Sequence, residues 1–182
     1  SPPKRDLMQT PYYSSAQFSL RVTPHHKTTQ LFMQLYVPMV NTTALPATMQ
    51  ILQHILPTVL ATSCFNENNL PFSKEAEATE IGHLFEHILL EYLCLEAMEN
   101  GATCAEFSGR TYWNWVKNPT GTFHIKIDVT EKDVLLLAVA LKKTILLIEQ
   151  ILASATQAYL ENPLVRLNVA PSPTTGASYE PL

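Results

Sequence analysis

His83, Glu86 and His87 stand at a spacing that can do chemistry. Residues three and four apart share one face of a helix, so both imidazoles would project together, roughly 6 Å apart. That separation suits two nitrogen ligands of one tetrahedral zinc. Glu86 lies beside them, where a carboxylate could hold a metal-bound water and take its proton. The order His-x-x-Glu-His is the inverzincin arrangement, the reverse of His-Glu-x-x-His. Glu91, one turn beyond His87, is placed to orient that ring.

A third ligand is needed, and the chain has three cysteines and six histidines to supply it. Cys64, nineteen residues before His83 and in a loop, is the first candidate, because thiolate is a favoured zinc ligand. Cys104, after the helix, is the runner-up, and His124 on an expected strand could approach. Cys94 falls about 10 Å along the helix from His87, too far to share the ion, and is expected to be a buried structural thiol. His25, His26 and His54 show no ligand spacing and are expected to be structural.

The elements that must position these groups follow from periodicity. Phe18–Thr23 and Leu31–Pro38 alternate apolar and polar residues, as strands do. Ala47–Thr62 carries apolar residues at helical spacing, with a kink or restart expected at Pro57. The longest helical pattern runs from about Glu75 to Asn100 and should stop at Asn100-Gly101 with a left-handed cap. Thr103–Phe107, Tyr112–Lys117 and Thr122–Val129 are expected strands, the last two joined as a hairpin through Asn118-Pro119-Thr120-Gly121. A final helix is expected from Thr130 to about Leu160, opened by a Thr130/Asp133 capping box. The order β-β-α-α-β-β-β-α predicts an α+β fold, a mainly antiparallel sheet with helices on one face.

The chain has 182 residues, 46% of them hydrophobic and 15% charged, which supports a single packed domain. Seven of thirteen prolines lie in Ser1–Pro11 or Pro163–Leu182. Residues 1–17 and 161–182 are therefore expected as extended tails around a domain spanning 18–160. The net charge of −4 argues against a general nucleic-acid binder. The most apolar run, Val134–Ile151, contains Lys142 and Lys143, so no membrane span is expected. An odd cysteine count and no visible signal peptide point to a reducing, cytoplasmic setting. The low charge content points to apolar surface covered in a homo-oligomer.

The stretch from Cys64 through Gly82-His83-Leu84-Phe85-Glu86-His87 and Glu91 to Gly109-Arg110-Thr111 resembles the N-terminal domain of cyanophycin synthetase. More loosely, the likeness covers residues 18 to 155. It implies a zinc peptidase-like site with Cys64, His83 and His87 as ligands and Glu86 as general base. Arg110 would bind a substrate carboxylate or stabilise charge in the transition state. The substrate implied is a peptide or isopeptide such as cyanophycin, an aspartate polymer with arginine branches. The chain departs from that family in having Thr62-Ser63 where it commonly has His-His, and Tyr112 where a basic residue is frequent. No Gly-rich nucleotide loop is present, so amide-bond synthesis is not expected.

Eight of the sixteen acids fall between Glu75 and Glu106, with no Lys or Arg from Glu75 to Gly109. Such a neighbourhood would attract a cationic substrate. The expected activity is zinc-dependent hydrolysis of peptide or isopeptide bonds by metal-activated water. The alternatives are a non-catalytic zinc-binding or assembly module, with four protein ligands, and a small-molecule lyase using the same motif in a closed pocket.

Overall fold

The computed structural model describes residues 12–64, 69–103, 105–161 and 175–179. Its strands are β1 (Tyr13–Ser14), β2 (Phe18–Pro24), β3 (Thr29–Leu35), β4 (Gly109–Asn114), β5 (Thr122–Ile127) and β6 (Thr175–Tyr179). Its helices are α1 (Thr48–Ile55), α2 (Phe72–Glu75), α3 (Ile81–Glu99) and α4 (Val134–Glu161). All neighbouring strands are antiparallel, in the order β1-β2-β3-β5-β4-β6. The fold is α+β, as the sequence predicts.

Alternation decides the two faces of the sheet. Leu20, Met33 and Phe123 are cross-strand partners, as are Leu31, Ile125 and Thr111, and all six are buried. They form the floor on which α3 packs, and α4 packs in turn on α3. Helix α3 is buried on every side from Ile81 to Leu90, so it reads as a core helix rather than an amphipathic one. Gly82 sets its distance from the sheet: a Cβ there would lie 2.2 Å from Phe123 Cγ. Helix α4 is tied back to the first strands, where Tyr13 Oη and Ser15 Oγ both donate to Glu149 Oε1 at 2.7 and 2.8 Å.

Several local expectations hold. Helix α1 stops before Pro57, and a 3-10 turn occupies Pro57–Ala61. Helix α3 ends with Gly101 at φ +99°, its N–H on Met98 O and that of Ala102 on Ala97 O, a Schellman cap. Other expectations shift. Helix α3 begins at Ile81, because α2 and an extended Glu80 occupy the preceding stretch. The strand expected at Tyr112–Lys117 is β4, three residues earlier. It is ended by Asn114, whose Oδ1 accepts from Val116 N and Lys117 N. The described residues of Thr103–Phe107 form no strand, and Cys104 lies outside the described residues. The Thr130 side chain does not cap α4; a 3-10 turn at Glu131–Asp133 leads into the helix instead. Strands β1 and β6 fall within the segments expected as tails. Among the described residues no helix is long and apolar enough to cross a membrane.

Candidate metal centre

Burying polar side chains in a core helix is costly unless the surroundings satisfy them. His83, Glu86 and His87 are all at most 4% exposed. Two long-range devices meet them. The segment before α3 is pinned to residues 40–42: Thr42 N donates to Thr79 O at 2.8 Å, Thr79 N to Thr42 Oγ1 at 2.9 Å, and Ile81 N to Val40 O at 2.9 Å. This pinning sets Thr79 Oγ1 2.7 Å from His83 Nδ1. With Nδ1 carrying its proton toward Thr79, Nε2 is left as the lone-pair nitrogen on the opposite side of the ring.

Nε2 faces the thiol. Cys64 Sγ lies 3.3 Å from His83 Nε2, in a loop closed by Cys64 N on Leu70 O and Phe72 N on Thr62 O. Phe72 at the far side of that loop stacks on His87, with ring centroids 3.9 Å apart and planes 13° from parallel. The two imidazoles meet edge to face at 4.6 Å. Burial lowers the His87 pKa to about 3, so the ring is neutral at physiological pH. Cys64, His83 and His87 each bring a ligand atom within 4.8 Å of the others, close enough to bind one metal ion.

The donor chemistry fits such an ion. Tetrahedral zinc with bonds of about 2.0–2.3 Å places its ligand atoms roughly 3.4–3.8 Å apart, near the 3.3 Å between Cys64 and His83. A neutral imidazole, as at His87, is the form that ligates.

Glu86 is held from the sheet. Thr111 on β4 donates its hydroxyl to Glu86 Oε1 at 2.6 Å and also lies 3.5 Å from Gly82 O. The close approach depends on Gly109, where a Cβ would meet Lys126 O at 2.9 Å and Glu86 Cγ at 3.5 Å. Thr79, Phe72 and Thr111 are the site residues that sequence reasoning misses. Only Thr111 carried a signal, as the last residue of Gly109-Arg110-Thr111.

The other expected participants are elsewhere. Arg110 alternates with Thr111 and is exposed on the outer face of the sheet, away from Glu86. His124 also faces outward, between Tyr112 and Phe32, and cannot join the ligand group. Glu91 makes no hydrogen bond to His87. Cys94 is half-buried, and its pKa is raised first by that burial. His25, His26 and His54 are exposed. Of the acids on α3, Glu96 is buried and paired with Lys143 of α4. Burial also raises the pKa of Glu80. Glu77, Glu99 and Glu106 remain exposed.

No protein-family model matches the chain, and no curated protein is significantly similar to it.

Proposed function

We propose that Cys64, His83 and His87 hold a zinc ion and that the chain hydrolyses peptide or isopeptide bonds, with Glu86 as general base. The observation that carries this is the convergence of one thiol and two imidazoles beside a buried carboxylate on the same helix. One thiolate with two neutral imidazoles is a donor set that favours zinc over harder ions. When bound, zinc supplies Lewis-acid polarisation and a water acidic enough to ionise near neutral pH.

The chain's own residues do the rest. Thr79 orients the His83 ring through Nδ1, and Phe72 shields His87 from water. Thr111 fixes one oxygen of Glu86, so the carboxylate takes a proton from water and returns it to the leaving amine without searching for orientation. The acids around α3 favour a cationic substrate, such as an isopeptide bearing arginine. A reducing, cytoplasmic compartment belongs to the same proposal, because the Cys64 thiol must stay unoxidised to ligate. Arg110, on the outer face, has no part in this chemistry.

The burial of the whole cluster favours one competitor, a structural zinc in a non-catalytic module. Metal analysis of the purified full chain, with Glu86→Gln, separates the two. Hydrolysis predicts about one equivalent of zinc, lost in His83→Ala. It also predicts that Glu86→Gln keeps the metal and no longer cleaves arginine-bearing isopeptides. Zinc retained with no turnover in the wild type assigns the structural role; absence of zinc removes both.

A further inference from the structure

Among the described residues no helix packs on the outer face of the sheet, which carries a second constellation. Register places Arg21, Phe32, His124 and Tyr112 in one cross-strand row. The row is continuous: the Arg21 guanidinium lies 5.2 Å over the Phe32 ring, Phe32 meets His124 at 5.0 Å, and His124 stacks on Tyr112 at 4.9 Å and 9°. Tyr112 is 45% exposed. One step along the strands runs a polar row, Thr23, Gln30, Lys126 and Arg110. Between the two rows lies a shallow cavity of about 70 Å³, bordered by Phe32, Tyr112 and His124 on one side and Gln30 and Lys126 on the other.

Two features of the polar row point to an anion. Arg110 and Lys126 are direct cross-strand partners, and like charges placed opposite each other destabilise a sheet. Among the described residues neither has a carboxylate partner. The outward positions of β2, β3, β5 and β4 hold no Asp or Glu. The nearest acid along β5, Asp128, accepts from Ser108 N and Oγ at 2.9 and 3.0 Å. The net charge of −4 is an average over the whole chain; the outward positions of β2, β3, β5 and β4 carry the opposite sign.

We propose that this groove binds a short stretch of single-stranded nucleic acid crossing the strands. Rows two residues apart along a strand are separated by roughly 7 Å, comparable to the offset between a phosphate and its base. Phosphates would lie along Lys126 and Arg110, with a base against the exposed Tyr112 ring, whose other face is stacked on His124. The row spans four strands, roughly 14 Å, enough for two or three nucleotides. An acidic peptide would use the cations and leave the aromatic row without a function, so the nucleic acid is the better match. The site lies on the opposite face from Cys64, His83 and His87 and is independent of metal there.

The test is fluorescence anisotropy of a labelled ten-nucleotide oligo(dT) with the full-length chain. Saturable binding is expected, weakened at least tenfold by Tyr112→Ala and by Lys126→Gln, both at accessible positions. Two cations on a single strand give a salt slope of about −1.4, so raising salt from 50 to 200 mM should weaken binding about 7-fold. Absence of saturable binding, binding indifferent to Lys126→Gln, or equal competition by polyglutamate would each overturn the proposal. The last outcome would assign the face to acidic peptides. If Tyr112→Ala does not fold, Lys126→Gln and the salt series decide alone.

Discussion

Replacing Gly82 with alanine tests how tightly α3 is seated and whether the metal centre depends on that seat. The added Cβ would lie 2.2, 2.3 and 2.7 Å from Phe123 Cγ, Cδ1 and Cβ. Relief requires the ring to turn or the helix to retreat. The ring cannot turn freely, because Trp113 and Trp115 hold it edge to face at 5.8 and 5.5 Å. Overpacking costs about 1–3 kcal/mol, and the confined ring puts this site at the upper end, about 3 kcal/mol. Alanine returns about 1 kcal/mol through its helix propensity. The net loss expected is about 2 kcal/mol, a fall in Tm of roughly 4–8 °C for a chain of this size. Urea denaturation monitored by tryptophan fluorescence measures it. Because His83 follows Gly82 directly, a retreating helix should also weaken cobalt or zinc binding. Phe123→Leu in the same chain should recover part of both losses, a coupling of about 0.5–3 kcal/mol. A Gly82→Ala protein that is more stable than wild type, by the propensity term alone, would refute the seating argument.

Two other outcomes follow from the buried groups. The His87 pKa is lowered from 6.5 to about 3. The neutral ring therefore contributes in full above pH 6.5 and loses its contribution as pH falls below it, by about 1.4 kcal/mol per unit. Metal-free protein should lose about 2 kcal/mol between pH 6.5 and 5 in urea titrations, and His87→Asn should flatten that slope; parallel slopes would show that another group is responsible. Thr111→Val keeps the side-chain shape but removes the hydroxyl donated to Glu86. It should cost about 1–3 kcal/mol in urea titrations. An equal cost in a Glu86→Leu background would mean that packing, not the hydrogen bond, is what Thr111 supplies.

What the sequence could reveal depended on how local each constraint is. His83, Glu86 and His87 were visible because helical spacing alone puts them on one face. The Pro57 break and the Asn100-Gly101 stop are likewise properties of a few adjacent residues. Cys64 was legible only through residue type, since its approach to His83 is made by a loop closing on itself. Thr79 and Thr111 were not legible as ligands of the histidine and the glutamate. Threonine is unremarkable in any strand or loop, and Thr111 meets Glu86 across 25 residues of chain. Arg110 was misplaced for a related reason: adjacent residues on a strand face opposite sides, so a motif that includes both Arg110 and Thr111 cannot bring both to one site. Strand β6 was hidden by its proline-rich surroundings, because pairing with β4 is decided by the exposed ladder it meets rather than by its own pattern.

That pairing has a consequence for association. Without β6, strand β4 would end the sheet with an unpaired row of amides and carbonyls, six residues long and alternating buried with exposed side chains. Such an edge is a template for another chain. At the opposite side the sheet ends in β1, only two residues long, too short to recruit a partner strand. The sheet thus ends in a two-residue strand on one side and in the five-residue β6 on the other. Loss of β6 would open β4, the strand that holds Glu86 in place, to strand addition by another chain.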